Sequence, residues 1–408
     1  MPRTSTLRLG EGLRLADRIT IGALTRSVPL KQVERVLAET GRASRRRRDL
    51  PAHVMVYYVI ALALYRAEGS REVLRLLLEG LRRLLKWGVR VTPAGKSAIS
   101  QARSRLGEEP LKRLYGEVAL PLATPQTQGA FYRRWRKVAV DGSTLEVPDT
   151  DANVEAFGRP TADPGSQSAY PLLRLVGLVE TGTHVVFAAA LGRYDTAETT
   201  LVRQLLPALR PGMLCLGDRC FPGYELWKEA VQTGADLVWR VQRGIYLPRE
   251  KRLPDGSYLS HFYPKKVGNR PRTGGIPVRV VEYRVKSPKG KWEYYRLVTT
   301  ILDPEAAPAA ELAQLYHERW EIETTFDEFK THLRGARTVL RSQTPELVRQ
   351  ECWGLLLAHF ALRGLMHEAA LRGGRDPDRI SFTHTVRVVR RSLPQFAAFP
   401  PSAVGETA

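Results

Sequence analysis

The order of elements between Arg136 and Gln242 constrains this 408-residue chain more than any other feature. RKVAVDGS (Arg136–Ser143) alternates Val138 and Val140 against Lys137 and Ala139, the period-two pattern of a strand. LLRLVGLVE (Leu172–Glu180) and HVVFAAALG (His184–Gly192) are separated only by Thr181-Gly182-Thr183, which predicts a hairpin. A helix over Thr196–Leu209, a short apolar strand MLCLGD (Met213–Asp218), a helix over Tyr224–Gly234 and a strand DLVWRVQ (Asp236–Gln242) complete the run. Strand, strand, strand, helix, strand, helix, strand leaves few sheet topologies open.

That order is the ribonuclease H-like arrangement, in which the first and fourth strands lie side by side. Asp141 and Asp218, which end those strands' apolar runs, are then expected close together in space. Residues 243–300 read as short β pieces with Gly, Pro and many cations; GIPVRVVEYRVK and WEYYRLVTT are strands around a SPKGK turn. The expected fold class is α/β (α+β overall), with a helical N-terminal region and a β-rich insertion.

The first 130 residues read as helical, with apolar residues at three- and four-residue steps in Leu30–Glu39, Pro51–Ala67, Arg71–Lys86 and Ser97–Leu106. The longest apolar run, Val54–Tyr65, is too short for a bilayer span of about 20 residues and predicts a buried helix. No signal-peptide layout opens the chain, and Cys215, Cys220 and Cys352 offer neither a disulfide framework nor zinc spacing. A cytoplasmic protein, nucleoid-associated and without a membrane partner, is expected. The net charge of +21 points to an anionic polymer, most often nucleic acid. Arg71–Lys86 and Ser97–Leu106 resemble a loose helix-turn-helix, in which Ser97, Gln101, Arg103 and Arg105 would face a groove. An ordinary helical hairpin with a polar outer face is the simpler reading of the same residues. The run Arg45–Arg48 is a candidate phosphate contact or a solvated loop.

Ala309–Gly335 is a strong helix former without internal Pro or Gly. With Tyr316 at zero on a wheel of about 100° per residue, Arg319 falls at about 300°, Glu323 at about 340° and Lys330 at about 320°. Trp320, Ile322 and Phe326 point elsewhere, toward an expected core. Asp327, at about 20°, shares the face and competes with Glu323. The wheel alone also fits a salt-bridged surface face, since Arg319 and Glu323 are an i, i+4 pair. Phosphodiester cleavage, however, needs carboxylates that hold hard divalent cations, with cationic side chains for the phosphate.

VAVDGS, LGDRCF and Y-x2-R-x3-E-x6-K (Tyr316, Arg319, Glu323, Lys330), in this order, resemble the DDE transposases of the insertion-sequence-four family. About 77 residues separate the aspartates and about 105 the second aspartate from the glutamate. The resemblance implies a metal-binding triad of Asp141, Asp218 and Glu323, preferred over Asp327 by motif register. It implies two Mg2+ ions, replaceable by Mn2+. Tyr316, Arg319 and Lys330 would contact transposon-end phosphates, and Arg219 would orient Asp218 or meet phosphate. The implied partners are double-stranded DNA with terminal inverted repeats, target DNA and a second copy of the chain. The implied chemistry is cut-and-paste movement: hydrolysis at the element's end, hairpin closure with a flipped base, then strand transfer. The stacking aromatic best matches Tyr295, with Trp292 as substitute; core packing is the alternative for both. A ribonuclease H-fold nuclease without strand transfer, or a non-catalytic DNA-end-binding repressor, are the competing functions.

The expected organisation is a helical DNA-binding domain over 1–130, the first part of the core over 131–242 and a β-rich insertion subdomain over 243–300. A helical second part of the core follows over 301–370, then a tail over 371–408 that could serve oligomerisation. His317 and His332 lack partners at zinc spacing. Asp149, Asp151 and Asp163 are expected solvated, and Cys220 buried.

Overall fold

The computed structural model describes residues 26–44, 50–85, 94–160, 170–265, 273–286, 290–333, 335 and 339–392. The N-terminal helices are α1 (Leu30–Glu39), α2 (Ala52–Leu64), α3 (Ser70–Leu85), α4 (Lys96–Leu106) and α5 (Glu109–Val118). Apolar on nearly every side, α2 is buried from Val54 to Leu64, as a helix without a polar face must be. Its Tyr57 hydroxyl donates to the Val28 carbonyl at 2.7 Å. No helix among the described residues is long and apolar enough to cross a membrane. Arg45–Arg48 and the connection between α3 and α4 lie outside the described residues, so both expectations made there rest on sequence.

A single sheet dominates the rest. Its strands are β1 (Phe131–Tyr132), β2 (Trp135–Glu146), β3 (Leu172–Glu180), β4 (Val185–Arg193), β5 (Met213–Gly217) and β6 (Asp236–Arg240). They continue as β7 (Lys251–Arg252), β8 (Tyr258–Phe262), β9 (Ile276–Lys286) and β10 (Trp292–Thr299). The order is β4-β3-β2-β5-β6-β10-β9-β8-β7, with β1 paired to β2. The three antiparallel strands followed by parallel β5 and β6 form the ribonuclease H-like core that the element order predicts. The helices α6 (Asp151–Phe157), α7 (Glu198–Leu205) and α8 (Tyr224–Val231) connect these strands. Where an inserted β-subdomain was expected, β10 pairs antiparallel with β6, so 243–300 widens the core sheet rather than closing one of its own.

Ala309–Gly335 is not one regular helix. It divides into α9 (Ala309–His317), a 3-10 turn (Glu318–Trp320), α10 (Glu321–Asp327) and a π-helical stretch (Glu328–Leu333). A 3-10 turn advances about 120° per residue and a π turn is wider than an α turn, so a uniform wheel misplaces side chains beyond His317. Pro345 then opens α11 (Pro345–Arg372), and α12 (Phe382–Ser392) follows.

The long α11 joins the two halves. It packs on α2 and on β4, and one continuous apolar core runs through both regions. Gly354 permits the crossing with α2: a Cβ there would lie 2.7 Å from the Val59 carbonyl oxygen, a backbone atom that cannot swing aside. Gly354→Ala is expected to destabilise the fold by about 1–3 kcal/mol, read as a lower denaturant midpoint with unchanged slope.

Candidate active site

The site forms where parallel pairing stops. Val140 on β2 lies opposite Gly217, the last residue of β5, while β2 continues to Glu146 against β3 alone. Asp141 and Asp218 are the next residues on the two chains, so the sheet delivers both carboxyls to the same edge. The third carboxylate, Glu323, comes from α10.

Arg319, on the 3-10 turn and only 7% exposed, ties these elements together. Its Nη1 donates to Asp141 Oδ2 at 3.1 Å, and its Nη2 lies 3.6 Å from Glu323 Oε1. The buried Tyr316 hydroxyl has two acceptors at long range for its one proton, the Gly217 carbonyl at 3.4 Å and Asp218 Oδ1 at 3.5 Å. Asp327 is engaged differently: Thr331 Oγ1 donates to its Oδ1 at 2.5 Å, and His332 Nε2 lies 3.7 Å from its Oδ2.

Burial raises the Asp141 pKa against the Gly142 amide and Arg319, with Asp218 adding to the rise. Burial also raises Glu323; Arg319 opposes, and Asp141 and Asp218 add repulsion. These are carboxyls that crowd one another, the arrangement a bound cation relieves. Oxygen donors alone, supplied by three separate elements, fit hard divalent cations.

A cleft of about 750 Å³ opens beside them, and Asp218, Glu323 and Arg319 line it. Arg219, Arg240 and Arg243 make its walls cationic. Two large aromatic rings face it openly: Trp292 is 65% exposed and Trp320 is 55% exposed.

Residues 18–116 match the N-terminal model of insertion element 4 transposases, and residues 135–361 match the transposase DDE domain. Transposase InsG of insertion sequence element IS4, from Escherichia coli strain K12, is 30% identical over 380 residues, covering 92% of this chain and 83% of that protein. The chain belongs to the insertion-sequence-four family of DDE transposases. A putative transposase, InsZ, from the same organism is 25% identical over 257 residues, or 63% of this chain and 79% of InsZ. Among solved structures, a piggyBac transposase synaptic complex with hairpin DNA aligns with a TM-score of 0.49 at 12% identity, over 95% of this chain and 84% of that one. The transposase is thus a metal-dependent enzyme of DNA strand cleavage and transfer, with DNA as its partner.

Several expected positions change in the transposase. Arg103 is no groove reader: it is buried, with Nε donating to Gln350 Oε1 at 2.8 Å and Nη2 to Ser342 Oγ at 3.0 Å and the Leu347 carbonyl at 3.1 Å. Gln101 and Arg105, on other faces of α4, are exposed. Trp320, expected in the core, is turned into the cleft at the 3-10 turn, whereas Ile322 and Phe326 are buried as expected. Lys330 lies half-buried on the π-helical stretch. Cys220 is exposed, because it sits in the turn beyond β5 rather than within the strand. Arg219 is exposed beside it and lines the cleft. Asp149 pairs with Arg159 at the surface, Asp151 is exposed, and Asp163 lies outside the described residues.

Tyr295 is 8% exposed and has no free face. Tyr283 stacks on it with centroids 5.2 Å apart, and the Arg240 guanidinium lies 3.9 Å over the ring. Two groups that near cannot share one side of a ring, so both sides are covered.

Glu198 escaped sequence reading altogether. A Cβ on Gly142 would lie 2.6 Å from its carboxyl, so the absence of a side chain beside Asp141 makes room for it. Arg174 Nη1 donates to Glu198 Oε1 at 2.6 Å. Burial raises the Glu198 pKa against Arg174, and Asp141 and Asp218 raise it further. Nothing in the local sequence Thr196–Thr200 marks this carboxylate, because its neighbours come from other strands.

Proposed function

We propose that Asp141, Asp218 and Glu323 are the metal-binding triad of a cut-and-paste transposase, holding two Mg2+ ions for which Mn2+ substitutes. The observation that carries this reading is the convergence of Asp141 and Asp218 where the parallel pairing of β2 with β5 stops, with one Arg319 guanidinium reaching both Asp141 and Glu323. When bound, the cations supply Lewis-acid charge and a more acidic attacking water. Arg319, Arg219, Arg240 and Arg243 neutralise the scissile and flanking phosphates. Tyr316 orients Asp218 through its hydroxyl. Lys330 contacts the transposon-end backbone. Residues 1–130 bind the element's inverted repeat, with Gln101 and Arg105 on the exposed side of α4. A dimer brings two ends together for synapsis, with the 371–408 tail as a candidate contact.

The 3′-hydroxyl freed by hydrolysis attacks the opposite strand to close a hairpin, and a base leaves the stack to relieve the bend. Unstacking costs a few kcal/mol, which stacking on an aromatic ring offsets. The open ring of Trp292 suits that role, and the covered ring of Tyr295 supports the cleft wall instead. Trp292→Ala is expected to lower hairpin yield about tenfold at unchanged first-strand nicking, since stacking on one ring is worth about 1–3 kcal/mol per base. Tyr295→Ala is expected to lower the thermal midpoint as well. A gel assay of hairpin closure checks both, and normal closure by both variants removes the assignment.

Incubating the protein with labelled inverted-repeat DNA and Mg2+ tests the whole reading. Strand-transfer products are expected; cleavage without transfer supports a nuclease, and a bound but intact probe supports a repressor.

A further inference from the structure

Metal-ligand chemistry also gathers away from the triad. His184, Glu321 and Asp378 each place one ligand atom so that all three lie within 4.8 Å of one another. They come from three distant places: the turn between β3 and β4, the first residue of α10, and the 3-10 turn Pro377–Arg379 after α11.

The polar atoms there are poorly served by the protein itself. His184 is 5% exposed, and its Nε2 makes no hydrogen bond, although Asp378 Oδ1 lies 3.0 Å away. Glu321 Oε2 is also buried without a hydrogen-bond partner among the described residues. Two orphaned buried groups of this kind cost free energy, and one proton cannot satisfy both of them and the neighbouring Asp378 carboxylate. A cation can.

The far side of the ring faces an ion pair of Glu328 with Arg363. Glu328 Oε1 lies 3.8 Å from His184 Nδ1, and Glu328 is itself held by His359 Nε2 at 3.1 Å and Arg363 Nε at 2.9 Å. Arg363 Nη2 also approaches Nδ1 at 2.5 Å, so without a cation the ring's proton sits on Nε2.

We propose that His184, Glu321 and Asp378 bind a divalent transition cation as a structural site separate from the catalytic one. One imidazole and two carboxylates suit Zn2+ or Mn2+ and not Mg2+, which takes oxygen ligands. Holding a cation through Nε2 would put the ring's proton on Nδ1 and would require Arg363 Nη2 to withdraw from that nitrogen, leaving Arg363 its Nε bond to Glu328. Because Glu321 precedes Glu323 by two residues, the cation would pin the start of α10 to the β3–β4 turn. The site's existence does not depend on the role assigned to the triad.

Zinc titration of the full chain carrying Asp141→Asn and Asp218→Asn, which removes charge from the other acidic site, tests this. The expected result is about one equivalent of Zn2+, with a rise in thermal midpoint and visible Co2+ absorption of low-coordinate type. Adding Asp378→Asn should weaken Zn2+ about tenfold or more and remove the midpoint rise, and His184→Gln should do the same. Asp378 is the more exposed of the two, so its substitution keeps the readout apart from a folding defect. No bound zinc in the parent, or zinc binding that neither substitution changes, overturns the proposal.

Discussion

Glu323→Gln is expected to lower strand cleavage on the order of 10³-fold, while Asp327→Asn leaves it within about twofold. The two carboxylates share a helix one turn apart, and a wheel cannot separate them. Their partners do. Arg319 couples Glu323 to Asp141, whereas Asp327 is occupied by Thr331 and His332. Glutamine keeps the shape of Glu323 and removes only its charge, so the loss reports on cation holding rather than packing. The stability readout has the opposite sign. Because the Glu323 pKa is raised, its ionised form is disfavoured in the fold, and stability is lost as pH rises through that raised value. At neutral pH the metal-free Glu323→Gln protein should therefore melt no lower than wild type. Gel assays of end cleavage and thermal melts check the pair.

Arg319→Ala is expected to cost about 10²- to 10³-fold in cleavage, and Arg319→Lys to recover little of it. The guanidinium forks between two carboxylates from separate elements, and a lysine ammonium cannot span both. Arg319 is nearly buried, so alanine also leaves Asp141 without its cationic partner, and lower stability accompanies the kinetic loss. DNA affinity separates the two effects. If Arg319 meets a phosphate, the slope of log affinity against log salt should fall by roughly one in Arg319→Ala. An unchanged slope would leave Arg319 as a positioning group for Asp141 alone.

What the sequence disclosed was whatever depends on neighbours in the chain. Period-two runs revealed β2 to β6 and their order, and strand order alone put Asp141 beside Asp218. It could not disclose contacts across the fold. Arg103 reads as a polar residue on a helix face, yet its partners Ser342, Leu347 and Gln350 lie more than two hundred positions later. Glu198 and Arg174 are invisible for the same reason, since their meaning comes from Gly142 on another strand. Trp320 failed on geometry rather than distance: a single 3-10 turn rotates it off the α-helical wheel and into the cleft. Tyr295 and Trp292 are three residues apart on one strand, and only the stacking of Tyr283 and Arg240 reveals which ring is closed. The insertion reads correctly as β structure, but its joining to β6 depends on a pairing of Leu297 with Arg240 that no local pattern announces.

Anomalous scattering from a crystal of the protein–DNA complex grown in Mn2+ tests the triad most directly. The account predicts two manganese peaks held jointly by the carboxylates of Asp141, Asp218 and Glu323. Manganese bound elsewhere, with those three side chains making no contact to it, would contradict the account.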